Sequence, residues 1–147
     1  MDESTIDLCG IIQKAFNEKD VDIRTYSPLT LAYIGDAVYE VLVRTHVVLK
    51  GNMPANKLHG ISSNLVKAAT QAKLSEILFD EFTEEEKVAL KRGSNSKPNT
   101  KAKNASMGEY LAATGFEAVI GYLYLTGKTD RIIELVKSGF TKLGEIK

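Results

Sequence analysis

Cysteine and proline are scarce in this sequence, and neither sign of charge is in excess. One cysteine, Cys9, excludes an intramolecular disulfide and fits a reducing cytoplasm. Lysine plus arginine and aspartate plus glutamate each number 19, so the net charge is zero. A chain-wide basic signal for nucleic acid is therefore absent, and any such signal has to be local. No P-loop, zinc motif, Gly-x-Ser-x-Gly elbow or dinucleotide fingerprint occurs. The histidines, His46 and His59, have no ligand spacing and read as structural or surface residues. The start, Met1-Asp-Glu-Ser, is acidic and lacks an apolar segment, so no leader is expected. The apolar run Tyr110–Thr126 is too short, and too burdened by Glu117, to suggest a membrane span.

What is present is an ordinary globular composition, with 44% hydrophobic and 26% charged residues in 147. That length suits one compact domain over 1–147, with an N-terminal helix and connector in 1–26 and a frayed tail at 144–147. Few prolines and long periodic segments predict an all-α fold.

The elements follow from caps and spacing. Ile6, Leu8, Ile11, Ile12 and Phe16 predict a short amphipathic helix over Ser4–Asn17, followed by a charged connector to Thr25. Ser27-Pro28 is a helix start, a hydroxyl cap before a first-turn proline, and Gly51 is its stop. Pro54 opens a helical region, read as one helix or as two with a break near Ala68–Gln71, and Phe79 and Phe82 are expected to close its core contacts. Thr83-Glu-Glu-Glu86 and Ser106-Met-Gly-Glu109 are capping boxes, separated by a loop over 93–105. Gly127 ends the second boxed helix, and a last amphipathic helix uses Ile132, Ile133, Leu135, Val136 and Phe140.

Two of these helices carry the chemistry. Leu29-Thr-Leu-Ala-Tyr-Ile-Gly-Asp-Ala-Val-Tyr39 is apolar on nearly all sides, with Asp36 its only charge. Tyr110–Thr126 is similar, with Glu117 its only charge. Helices apolar all round are expected in the core, so each acid needs a partner there. Either each is a satisfied carboxylate, bonded to a tyrosine or a backbone amide, or the two converge on a divalent cation. Hard oxygen ligands suit magnesium, with manganese the alternative. Gly35 and Gly121 would let the two helices approach closely, which is also plain packing. Glu40 and Arg44 have the spacing of a surface ion pair.

A local basic signal does exist. Lys87, Lys91, Arg92, Lys97, Lys101 and Lys103 lie within 87–103 with no acid among them. A solvated loop is the ordinary reading, but this mixture of donors also suits phosphates. Lys91, Arg92, Lys101 and Lys103 are the candidate phosphate contacts.

Together these stretches resemble a known family. Leu31-Ala-Tyr-Ile-Gly-Asp-Ala-Val-Tyr39 resembles the signature helix of ribonuclease III endonuclease domains. Thr114-Gly-Phe-Glu-Ala-Val-Ile-Gly-Tyr-Leu-Tyr-Leu125 resembles that family's second motif. Asn52-Met-Pro-Ala-Asn-Lys-Leu-His59, Leu90-Lys-Arg-Gly-Ser-Asn95 and Lys101-Ala-Lys-Asn104 are similar to the short bacterial form, Mini-ribonuclease III, which lacks a double-stranded RNA-binding domain.

The resemblance implies an all-α, homodimeric ribonuclease III-like catalytic domain. It implies magnesium-dependent hydrolysis of double-stranded RNA, leaving 5′-phosphates, with precursor 23S ribosomal RNA as substrate. A ribosomal protein is a further candidate partner. Asp36 falls on the family's catalytic aspartate, Glu117 on its metal-binding glutamate, and Tyr33 on an aromatic position at the dimer interface. Ala32, Leu29 and Thr114 stand where the larger enzymes usually have acids, so Asp36 and Glu117 are the metal-site acids that remain, and waters, Thr114 or RNA phosphate oxygens would complete the coordination. Two rivals follow: a non-catalytic RNA-binding or ribosome-assembly factor on the same fold, and a helical metal-binding or interaction protein unrelated to RNA. The second is disfavoured, because the Glu-x-x-His pairs of di-iron bundles are absent.

Overall fold

The computed structural model describes residues 7–96 and 106–146, which form seven α-helices and two short 3-10 turns, with no strand among the described residues. Helix α1 spans Leu8–Ala15, α2 Pro28–Val48, α3 Ala55–Val66, α4 Ala68–Leu78, α5 Glu84–Ser94, α6 Met107–Leu125 and α7 Thr129–Leu143. Both capping boxes form as the spacing predicts, Thr83 with Glu86 and Ser106 with Glu109. The Ser27 hydroxyl receives the Thr30 N–H, with Pro28 in the first turn of α2.

Helix α6 is the axle. Phe116, Val119, Ile120 and Leu123 are buried in it, and α2, α4, α5 and α7 pack around it. Helix α2 turns Leu31, Gly35, Tyr39, Val43 and Val47 toward α6 at a spacing of four. At the α2–α6 crossing the two backbones touch. A methyl on Gly35 would overlap the Glu117 carbonyl, and one on Gly121 would overlap the Leu31 carbonyl. Only glycine permits this approach.

Helices α3 and α4 are separated at one residue, Lys67, whose extended backbone stops the first and starts the second. This break lies one residue before the expected stretch. The carbonyls it strands are met by side chains: Thr70 donates to Asn64 at 2.5 Å, Tyr39 to Leu65 at 2.7 Å and Gln71 to Val66 at 2.7 Å.

Four expectations are corrected. Helix α2 is not enclosed on all sides: Tyr33 is 81% and Val41 65% exposed, and Asp36 is exposed with them. Its five-residue inward stripe already fills the buried side, and the opposite face is left uncovered among the described residues. Phe79 is likewise exposed, in the 3-10 turn Phe79–Glu81, with the Lys87 ammonium 4.8 Å above its ring, while Phe82 is buried as expected. The C-terminal end is not frayed from 144: Gly144 closes α7 in the left-handed region, and Ile146 packs against the core. Helix α1 ends at Ala15, short of the expected Asn17, while Ser4 to Ile6 of the expected span lie outside the described residues, and Ile11 and Phe16 are exposed.

Candidate active site

The α2–α6 crossing places two acids side by side. Asp36 follows Gly35 directly, and Glu117 supplies the carbonyl against which Gly35 packs. Their carboxyl groups come within hydrogen-bonding reach. Glu117 is half-buried and Asp36 is exposed, so the pair opens to solvent from the Asp36 side. Burial first, then the charge of Asp36 and the bond to it, push the Glu117 carboxyl up to about 8, with Gln71 working weakly the other way.

Gln71 is the residue that sequence reasoning missed. It is 3% exposed on α4, and its Nε2 lies 3.4 Å from Glu117 Oε2. A signal was available, because Gln71 holds the same face of α4 as the buried Leu74 and Leu78. An amide in a core register asks for a reason. Tyr39 borders the site, its hydroxyl committed to Leu65 and its ring edge-on to Phe116 at 5.3 Å. Its phenol is pushed up by burial and then by Glu40 and Glu117.

Other candidates are placed as follows. Ala32 is buried beside the site and offers no ligand. Thr114 is buried, and its hydroxyl donates to the Tyr110 carbonyl at 2.9 Å. Glu40 pairs with Arg44 at 3.2 Å, as its spacing suggests. Tyr33 projects from the open face of α2, three residues before Asp36. Lys91 is exposed at the end of α5. Arg92 is half-buried and donates to the Tyr26 carbonyl at 2.9 Å, tying α5 to the segment before α2. Lys101 and Lys103 lie outside the described residues. His46 rests against the Phe140 ring at 5.7 Å, and His59 is exposed.

No cluster of three or more His, Cys, Asp or Glu side chains forms among the described residues. Two facing carboxylates still fit magnesium, which is commonly held by one or two carboxylates with waters and substrate phosphates completing six ligands. The like-charge conflict between Asp36 and Glu117 is what a cation would relieve, and the Asp36 side gives the site an open approach. No helix among the described residues is long and apolar enough to cross a membrane.

Known proteins share this arrangement of sequence. The family model for the ribonuclease III domain matches residues 29–128. Mini-ribonuclease 3 of Staphylococcus aureus is 44% identical over 131 residues, which is 88% of this chain and 98% of that protein. Mini-ribonuclease 3 of Clostridium tetani is 47% identical over 117 residues, covering 79% of this chain and 78% of that one. The Enterococcus faecalis protein of the same name is 42% identical over 126 residues, covering 84% and 96%. A crystal structure of a Fusobacterium nucleatum protein matches with a TM-score of 0.76 at 32% identity, covering 84% of this chain and 94% of that one.

Proposed function

The chain belongs to the ribonuclease III family, among the Mini-ribonuclease 3 endoribonucleases, and from this we propose that it hydrolyses double-stranded RNA with magnesium and matures the 23S ribosomal RNA precursor. The observation that carries the reading is the meeting of Asp36 and Glu117 where α2 and α6 touch. The precursor, a cytoplasmic setting, one catalytic domain over 1–147 and a presenting ribosomal protein rest on the resemblance.

Asp36 and Glu117 would hold the cation, with manganese able to substitute. When bound there, a divalent cation lowers the pKa of a water and offsets charge building on the scissile phosphate. The chain's own part is placement. Asp36, on the exposed side, meets the RNA backbone, and Glu117 backs it from within. The glycine crossing keeps the two acids from separating. Recognition runs through shape and phosphates, because the A-form major groove is too narrow for side chains to read. Lys91, Lys101 and Lys103 are the proposed phosphate contacts, joined by those Arg92 donors not given to Tyr26.

The reading includes a homodimer, with one site per RNA strand. The open face of α2 supports it, since Tyr33, Ala37 and Val41 lead into an apolar groove of about 740 Å³ reaching Leu49, Ile133 and Phe140. A second copy of the chain is the proposed cover.

One assay tests the core of this: purified protein and a long duplex RNA, with and without magnesium, beside Asp36→Asn. Cleavage is expected only with the ion, and the variant should lose at least about a hundredfold in rate. Equal cleavage by Asp36→Asn refutes the site. In the same preparation, alanine at positions 91, 92, 101 and 103 should weaken duplex binding and flatten its salt dependence. Unchanged binding refutes those contacts.

A further inference from the structure

Gln71 is held in one orientation by its neighbours. Its Nε2 donates to the Val66 carbonyl at 2.7 Å, and exchanging the two ends of the amide would set oxygen against oxygen there. With Nε2 so placed, the same nitrogen lies 3.4 Å from Glu117 Oε2. The amide oxygen Oε1 is then buried and has no hydrogen-bond partner among the described residues. An orphaned buried acceptor is unfavourable, and an apolar side chain of the same length would avoid it. Gln71 shares its helix face with Leu74 and Leu78, where leucine would fit the pattern.

The geometry points to Gln71 as a positioning residue of the nuclease centre: Nε2 sets the Glu117 carboxylate, and Oε1 accepts from a water beside it. This rests on the reading of Asp36 and Glu117 as the cation's ligands. Its logic comes from what the site lacks. Ala32 offers no ligand, and the Thr114 hydroxyl proton is bonded to Tyr110. With only two acids to define the site, the orientation of one carboxylate matters more, and a neutral amide orients it without adding a third repelling charge. The Lys67 break makes this possible, because it starts α4 where Gln71 can reach the end of α3 and Glu117 at once.

The test uses Gln71→Met and Gln71→Leu, both able to fill the core position, with helical content and melting of the metal-free protein checked first. Manganese is then titrated into the protein without RNA, followed by calorimetry or by the spin-resonance signal of the free ion. The dissociation constant should rise on the order of tenfold in a folded variant, the range seen when partners behind metal ligands are lost. The magnesium concentration giving half-maximal cleavage should rise in parallel, with the rate recovering at saturation. Manganese affinity within about twofold of the parent, in either folded variant, overturns the assignment. Asp36→Asn and Glu117→Gln run beside them. If these also leave manganese binding intact, the ligand reading itself fails. If they abolish it while the Gln71 variants do not, only the role of Gln71 fails.

Discussion

Without a cation, Glu117 keeps its proton up to a pH near 8, and this gives the fold a pH dependence of definite sign. The folded value lies above the usual carboxyl value, so between the two the folded protein binds more protons than the unfolded chain. Stability from this group is complete in acid, below the ordinary carboxyl value, and is lost as pH rises through about 8. The loss is a few kcal/mol at most, at about 1.4 kcal/mol for each pH unit between the two values. Melting of the metal-free protein should fall between pH 5 and 9, and Glu117→Gln should flatten the fall. A melting temperature that climbs across that range contradicts the paired-acid geometry. Manganese at about a hundred times its dissociation constant should restore about 2.7 kcal/mol at the alkaline end, because it binds the ionised acids. At this scale the sequence was legible for Asp36 and Glu117, each the only charge in an apolar run. For Gln71 the sequence carried only a faint signal, an amide at the register of Leu74 and Leu78, which becomes a core position once its neighbours are placed.

The two helices at the site depend on their glycines. Gly35→Ala would drive a methyl into the Glu117 carbonyl, and both partners there are backbone, which cannot rotate aside. Denaturant unfolding should show a loss above about 3 kcal/mol, larger than usual overpacking because no side chain can yield. A variant of near-parental stability would show that α2 and α6 separate easily and that the acids are not held together by the crossing. Gly60, with open space around its missing side chain, is the control and should tolerate alanine. The capping boxes and the Ser27-Pro28 start were readable locally, because their physics involves a few adjacent residues, whereas the demand for glycine at 35 and 121 comes from a distant helix. The faces of α2 were not readable, since a helix apolar on every side carries no internal sign of which side meets its own chain.

The apolar stripe that the described residues leave open on α2 is a question at the scale of the whole molecule. Tyr33, at 81% exposed, and Val41, at 65%, lie along one open stripe near Asp36. Sedimentation should give twice the chain mass at micromolar concentration. Tyr33→Arg should shift it toward monomer and reduce duplex cleavage, with the helical signal unchanged. A monomeric parent that still cleaves both strands contradicts the dimer. The sequence by itself determined the helical class, the capped helix starts and the family, and singled out the two acids as candidates, because caps, periodicity and motif spacing are short-range properties of the chain. Only the tertiary structure decided that Asp36 faces solvent while Glu117 is half-hidden, that Arg92 holds Tyr26, and that Gln71 stands behind the pair. Those outcomes depend on which helix surfaces meet, and burial is a property of the contact between distant segments rather than of any one of them.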